Sequence, residues 1–271
     1  AFSTHAAEFD DGKYDNTPII KRILELRREE AELLGFKNFG ELSLATKMAK
    51  DPAEVLAFLR DLAKRSRPRA LEDAGEVDDF AKKTLGIDEV EPWDRPYAAE
   101  KLREARYSYS DAEVKRYFTQ NAVFAGLFRM VETLFGIEIE EKRASVWHPD
   151  VKYFEVKRSG KQIAAFYADL YAREGKRSGA WMDGERTRRR LSDGTLVTPV
   201  AYLVTNFAAP VEGKEATMTH DEVTTLFHEF GHTLHHILTA QEEAQVSGIN
   251  GVEWDAVELP SQFLENFAWE H

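Results

Sequence analysis

The residues best suited to chemistry lie in the segment TLFHEFGHTLHH, residues 225–236, which holds four histidines and one glutamate. His228 and His232 are four residues apart, so on a helix both imidazoles project from one face and can reach a single zinc ion. Glu229 points slightly around the helix, where it does not crowd the ion but can reach a water beside it. This is the His-Glu-x-x-His pattern, in which the glutamate acts as general base. The pattern predicts a zinc site.

A polar helix with incidental histidines is the alternative, because the motif is short and the chain contains eight histidines. Two histidines do not complete a zinc site, so a third ligand must be found. One class of zinc peptidase has a glycine three residues after the second histidine and another histidine six after it, but those positions are His235 and Leu238 here. The remaining solution is a carboxylate from a second helix. The downstream candidates are Glu242, Glu243, Glu253, Glu258, Glu265 and Glu270.

Glu258 is the third ligand that we predict. In the stretch ELPSQFLE it stands at a helix start, with Pro260 in the first turn. Glu265 lies seven residues further on, two turns along the same face. One of the two carboxylates can bind the ion while the other orients a histidine ligand.

The rest of the histidine helix carries further signals. Thr219 and Glu222 form a capping box, so the helix should begin there. A zinc ion with three protein ligands needs an open fourth position, so we expect His235 and His236 to pack or to support the ligands. Gly231 costs about 1 kcal/mol relative to alanine inside a helix. Its missing side chain would let another backbone or a substrate approach closely.

The elements expected to position these residues change in type along the chain. Residues 1–144 are predicted to form the helical part, because helix-start signals recur at Pro18, Asp51 and Ser110. Residues 145–271 are predicted to hold a β-hairpin, an edge strand and the zinc-binding helices.

Strand patterns appear only in the second part. The segments VKYFEV (151–156) and QIAAFYADL (162–170) flank a turn and predict a hairpin. The segment PVAYLVTNF (199–207) predicts a strand that begins at Pro199 or lies at a sheet edge, since proline has no N–H. The stretch between the hairpin and this strand reads as a loop, and its basic run RTRRR (186–190) as a solvated face.

Composition excludes several classes of partner. Lys and Arg number 36 against 48 Asp and Glu, a net charge of −12 that repels nucleic acid. The chain has no cysteine, so any zinc must rely on histidine and carboxylate, and a reducing, cytoplasmic setting fits. There is neither an apolar run long enough to span a bilayer nor a secretory signal, so no membrane partner is expected.

Several segments together resemble the thimet-oligopeptidase family of zinc metallopeptidases, most closely its oligopeptidase A branch. They are TLFHEFGHTLHH, VSGINGVEWDAVELPSQFLENFAWE, FYADLYAREGKRSGAWMD, PVAYLVTNF and LLGFKNFGELSLATKMAKDP. The resemblance implies a mainly α, zincin-type (gluzincin) catalytic region with a small β-sheet, two-lobed around a deep channel. It also implies cleavage of short peptides, with His228, His232 and Glu258 as ligands of one Zn²⁺ ion and Glu229 as general base.

The resemblance also implies that this region is incomplete. Members of the family are far longer, and their transition-state donors, a tyrosine and a histidine on a later loop, fall beyond His271. The last stretch, LPSQFLENFAWEH, reads as an unfinished helix. We therefore expect a piece of a longer protein, with the remainder of its own chain as a partner.

Four functional hypotheses follow. The first is a zinc metallo-endopeptidase acting on short oligopeptides, in which the strand AYLVTNF holds the peptide as an added strand. The second is a non-catalytic fragment that binds zinc or peptide only. The third is a dipeptidyl carboxypeptidase of the same family, and the fourth is a structural helical domain with incidental histidines.

Overall fold

The computed structural model describes residues 15–108, 110–211 and 213–269. Helices make up 49% of the described residues, and a five-stranded mixed sheet accompanies them. The fold is therefore mixed α/β, and the expectation of a mainly α region with a small sheet is confirmed only in part. The chain divides into two compact units at Ser108 and Tyr109. The expected boundary between residues 144 and 145 stays a prediction.

The first unit is helical throughout its regular elements. In the described residues they are α1 (Thr17–Leu33), α2 (Phe39–Leu44), α3 (Pro52–Phe80), a π-helical turn (Ala81–Leu85) and α4 (Arg95–Tyr107). The predicted start at Asp51 is confirmed, because its carboxylate accepts from the amides of Ala53 and Glu54 at 2.8 and 2.9 Å. Within the described residues, no helix of either unit has both the length and the apolar character needed to cross a bilayer.

The second unit holds a sheet with helices before and after it. Its elements are α5 (Asp111–Val114), α6 (Gln120–Phe135), β1 (Glu138–Lys142), β2 (Lys152–Arg158), β3 (Lys161–Tyr171), β4 (Trp181–Arg186), β5 (Arg189–Arg190), β6 (Leu196–Val197), β7 (Val200–Phe207), α7 (His220–Ile237) and α8 (Leu259–Glu265). The main sheet has the order β1-β2-β3-β7-β4. Strands β3 and β7 are parallel, and the other pairs are antiparallel.

The predicted hairpin is confirmed as β2 and β3. Ser159 and Gly160 take φ values of 52° and 74°, as the two central residues of a type I′ turn do. Strand β7 begins immediately after Pro199, which is the first of the two placements predicted for it.

Two expectations about this sheet are wrong. Strand β7 is hydrogen-bonded to β3 on one side and to β4 on the other, so it has no free edge to receive a peptide. The two edge strands are β1 and β4, and β4 lies in a stretch that was predicted to be a loop. In the basic run, Arg186, Arg189 and Arg190 are exposed as predicted, and Arg188 and Arg190 both donate to the carboxylate of Glu242.

One face of the sheet packs against α6 and α7. Phe128 of α6, Phe166 of β3 and Phe230 of α7 meet at ring centroid distances of 5.4–6.2 Å. The buried side chains around them include Val123, Leu127, Val131, Phe154, Val156, Leu203, Val223, Leu226 and Leu234. This core holds α7, and with it the histidine motif, against β7 and β4.

Candidate metal centre

Helix α7 presents the histidine motif on the side that faces α8. Its start is the predicted capping box: Thr219 Oγ1 accepts from the amide of Glu222, and the Glu222 carboxylate accepts from the amide of Thr219. His228 and His232 lie one turn apart, with ring centroids separated by 5.0 Å. Glu258 stands at the N-cap position of α8, where the sequence predicted it.

The three predicted ligands converge. Glu258 Oε2 lies 3.3 Å from His228 Nε2 and 3.0 Å from His232 Nε2. One donor atom from each of the three residues lies within 4.8 Å of the others. These residues could hold a metal ion.

The donor set suits zinc on two grounds. Bonds of 2.0–2.1 Å in a tetrahedral centre place neighbouring ligand atoms about 3.3 Å apart, close to both separations above. Two imidazole nitrogens and one carboxylate are also ligand types that zinc accepts, and they leave a fourth position for water or substrate.

Neighbouring groups fix the orientation of these ligands. His228 Nδ1 donates to Glu265 Oε1 at 2.6 Å, which leaves the lone pair of Nε2 directed at the convergence point. Ser261 Oγ donates to Glu258 Oε2 at 2.8 Å. Burial raises the pKa of Glu258. The Ser261 hydrogen bond and the two imidazoles together lower it by more than burial raises it, so the pKa is below its usual value. The carboxylate is therefore held in its ligand form.

Gly231 explains how the two helices come so close. A Cβ at this position would lie 2.5 Å from the carbonyl oxygen of Pro260 and 2.6 Å from the Cα of Ser261. The absence of a side chain thus lets the backbone of α8 rest against α7, as the sequence suggested. This contact brings Glu258 within reach of the two histidines.

Glu229 lies beside this group but is buried. Only 7% of its surface is exposed. Burial raises its pKa, the His228 imidazole lowers it, and the Glu258 carboxylate raises it, with a net result of about 6. At neutral pH the carboxylate is ionised and more basic than an ordinary glutamate.

A cleft of about 440 Å³ opens over the ligands. One wall comes from the start of β4 and another from the loop that precedes α8. The lining residues are Ala180, Trp181, Met182, His228, Glu229, His232, Ile249, Trp254, Val257 and Glu258. The wall residues were not predicted as site residues, although the segments that contain them were among those quoted for the family resemblance.

The other acidic candidates have different positions. Glu242 pairs with Arg188 and Arg190, as described above. Glu243 and Glu253 are exposed and do not join the group that could hold a metal. Glu270 lies outside the described residues.

His235 and His236 both lie apart from the ligand group. His236 is buried, and its Nε2 donates to the carbonyl of Arg186 on β4 at 3.1 Å. His235 lines a separate apolar cavity between α7 and α8. Burial lowers the pKa of both imidazoles. Both therefore pack against other elements, in agreement with the prediction.

Comparisons with known proteins agree with one another. Residues 1–271 match peptidase family M3. Oligopeptidase A of Salmonella typhimurium is 52% identical over 274 residues, covering 100% of this chain and 40% of that protein. The organellar oligopeptidase A (chloroplastic/mitochondrial) of Arabidopsis thaliana is 43% identical over 279 residues, covering 99% and 35%. The dipeptidyl carboxypeptidase of Salmonella typhimurium is 39% identical over 258 residues, covering 94% and 37%. The chain thus spans about two fifths of the length of these relatives.

Proposed function

Because this chain belongs to peptidase family M3, we propose that it carries the zinc site of a metallo-endopeptidase that hydrolyses short oligopeptides. The observation that carries the proposal is the convergence of two imidazoles and one carboxylate beside the buried Glu229. The similarity to oligopeptidase A proteins supports the peptide as substrate.

Each residue has a separate role in the proposed reaction. His228 and His232 would hold zinc through Nε2, and Glu258 would hold it through its carboxylate. A zinc ion held there supplies Lewis-acid activation of a water and of the scissile carbonyl. Glu229 takes a proton from the attacking water and passes it to the departing amine nitrogen. Glu265 keeps the His228 ring in the orientation and tautomer that binding requires.

The substrate peptide is proposed to lie along β4. This strand forms one edge of the sheet, and Trp181 and Met182 at its start line the cleft. An extended peptide can add to a free edge by main-chain hydrogen bonds. Because these bonds do not involve side chains, such an edge can bind peptides of many sequences. We therefore propose that the peptide adds to β4, because β7 is paired on both sides.

Two alternatives have specific support. A dipeptidyl carboxypeptidase is favoured by the 39% identical relative of that name. A fragment that binds zinc or peptide without catalysis is favoured because the chain spans about two fifths of its relatives, so the remainder of the longer protein is a proposed partner. A peptide with an amidated C-terminus separates the two peptidases, because release of a C-terminal dipeptide depends on recognising the terminal carboxylate. The cytoplasmic location stays a prediction.

The test begins with the zinc content of the purified chain and its hydrolysis of a quenched fluorescent peptide. Near-stoichiometric zinc with chelator-sensitive cleavage supports the endopeptidase. Zinc without cleavage supports the non-catalytic fragment. No zinc, even after zinc is added back, overturns the proposed function.

Replacement of Glu229 tests the proposed base. Glu229→Gln should lower kcat by about 10³-fold, because the amide cannot accept the proton, while zinc content stays unchanged. Glu253→Gln removes a charge from an exposed position outside the cleft and should leave both quantities unchanged. Turnover that survived in Glu229→Gln would exclude Glu229 as the base.

A further inference from the structure

The wall of the cleft that β4 forms depends on the segment before it. Residues 172–180 connect β3 to β4, and the chain then passes directly into Trp181 and Met182 at the cleft. Among the described residues, β4 pairs with one strand only, which is β7. Helix α7 packs against the far end of β4 through His236, which donates to the Arg186 carbonyl, so the first residues of the strand depend on β7 and on contacts of the connecting segment.

Asn206 makes the contact that continues this pairing. The ladder between β4 and β7 starts with Trp181 opposite Val204, so the same register would place residue 179 opposite residue 206. Gly179 has a φ of 99°, which is outside the range of a strand, and the backbone ladder ends before it. The side-chain amide of Asn206 donates instead to the carbonyl of Gly179 at 2.7 Å and to that of Arg177 at 2.9 Å. Both N–H groups of one amide thus hold the segment at the point where main-chain pairing stops.

Lys176 also holds the connecting segment in place, through a side chain that is buried against β3 and β7. Its side chain is 6% exposed. The ammonium nitrogen lies 2.6–2.9 Å from the carbonyl oxygens of Asp169, Tyr171 and Thr205 and 2.8 Å from the Asp169 carboxylate, so its three N–H groups are shared among four acceptors. These oxygens belong to β3 and β7, so the connecting segment is tied to both strands one residue before Arg177.

We infer that Asn206 is a positioning residue for the substrate: by holding the Arg177 and Gly179 carbonyls, it fixes the first residues of β4 in the place where a peptide would bind. This inference rests on the proposed function, in which β4 is the peptide-binding edge. Asn206 itself lies outside the lining of the cleft and acts through the backbone of β4. Its loss should therefore weaken peptide binding more than zinc binding.

The chain offers a matched control for the test. Asn206→Asp replaces the donating amide with a carboxylate, which breaks both hydrogen bonds and repels the two carbonyls. At Asn38 it is the side-chain oxygen that bonds, accepting from the amide of Glu41 at 3.0 Å. Asn38→Asp makes the same chemical exchange but keeps its hydrogen bond, because aspartate also caps helices. Asn206→Ala removes the donors without adding a charge.

Binding is measured in the Glu229→Gln background, loaded with zinc, with a short fluorescently labelled peptide of alanine and leucine. Asn206→Asp and Asn206→Ala should raise the peptide Kd by about 5- to 10-fold, because binding must then order the start of β4, which Asn206 otherwise holds in place. The zinc Kd should change by less than about twofold. Hydrogen exchange of the amides of residues 178–183 should become faster. Asn38→Asp should change none of these quantities.

Other results overturn the inference. It fails if the peptide Kd is unchanged in both Asn206 variants, or if zinc and peptide affinity fall by the same factor, since that pattern indicates general loosening. If the zinc-loaded parent chain binds no peptide, the proposed function fails. The hydrogen bonds from Asn206 to the Arg177 and Gly179 carbonyls are then tested by hydrogen exchange alone. Faster exchange at residues 178–183 in that case supports positioning of β4 by Asn206, and unchanged exchange excludes it.

Discussion

Two clusters of polar side chains in the second unit differ in how their charges are satisfied. In the first cluster, Asp169 accepts from Arg173 at 2.6 and 2.7 Å, from Lys176 at 2.8 Å and from the Trp147 indole at 3.0 Å. The second cluster is the group of two histidines and Glu258, in which three electron-pair donors converge.

The first cluster has paired charges, which suits a structural role, and the second has unpaired donor atoms, which suits binding of a cation. Asp169 and Lys176 are 5% and 6% exposed, and the chain itself supplies both signs of charge there. Such a cluster stabilises the fold, because each buried charge already has a partner of the opposite sign. Converging donor atoms are favourable with a cation among them, so the second cluster is suited to binding. Substitutions in the two clusters should therefore affect different measurements.

The largest expected effect is the loss of stability in Asp169→Asn. This change leaves the buried Lys176 ammonium without its counter-charge, and breaking a buried pair costs about 3–5 kcal/mol. The free energy of unfolding is measured by urea denaturation. Asp88→Asn, at an exposed position of the first unit, should change it by less than about 0.5 kcal/mol. An Asp169→Asn protein as stable as the parent would show that the cluster contributes nothing to the fold.

His232→Ala should produce the opposite pattern. Removing a direct ligand should weaken zinc binding by more than roughly 100-fold, since even an outer hydrogen-bond partner is worth 10- to 100-fold. The free energy of unfolding of the metal-free protein should fall by about 1 kcal/mol or less. Zinc affinity is measured by competition with a chromophoric chelator. Unchanged affinity would remove His232 from the ligand set.

Acid should weaken the Asp169 cluster over a defined range of pH. Burial raises the pKa of Asp169, but hydrogen bonds from Arg173, Lys176 and Trp147 lower it more, to about 2. An unfolded aspartate has a pKa of about 3.9, so the folded state gains stability above that pH and loses it as the pH falls from about 4 to 2. The loss is about 2 kcal/mol. Urea midpoints across this range should fall less in Asp169→Asn than in the parent protein, and parallel curves would contradict the assignment.

The smallest effect is expected for Glu265→Gln. The amide oxygen can still accept from His228 Nδ1, but the negative charge that strengthens this hydrogen bond is lost. Zinc affinity should fall by about 10-fold, with little change in the urea midpoint. Glu253→Gln is the charge-matched control. A loss as large as that in His232→Ala would instead make Glu265 a direct ligand.

Local patterns in the sequence predicted the parts of the site that local chemistry determines. The capping box at Thr219, the one-turn spacing of the histidines and the helix start at Glu258 each need only a few neighbouring residues. The turn at Ser159 and Gly160 is of the same kind. For this reason the sequence could name the residues that the structure brings together.

Strand β4 could not be predicted in this way, because its residues are determined by contacts with residues far away in the sequence. A Cβ at Gly184 would lie 2.8 Å from the His236 ring, and a Cβ at Gly248 would lie 2.5 Å from it. Gly184 looks like a loop residue in the sequence, but it is a glycine in β4 because the His236 ring of α7 leaves no room for a side chain. Likewise, nothing in the pattern of β7 shows that it is paired on both sides, since pairing is a property of the whole sheet.

The contact at Gly231 has a consequence for the rate of metal exchange. With the backbones of α7 and α8 touching there, the two helices cannot separate without breaking that contact, whereas the Glu258 side chain is 51% exposed. Rotation of this one carboxylate is thus the shortest route by which an ion could enter or leave. Loading and release should then proceed on the timescale of side-chain motion and ligand dissociation, while both helices stay folded.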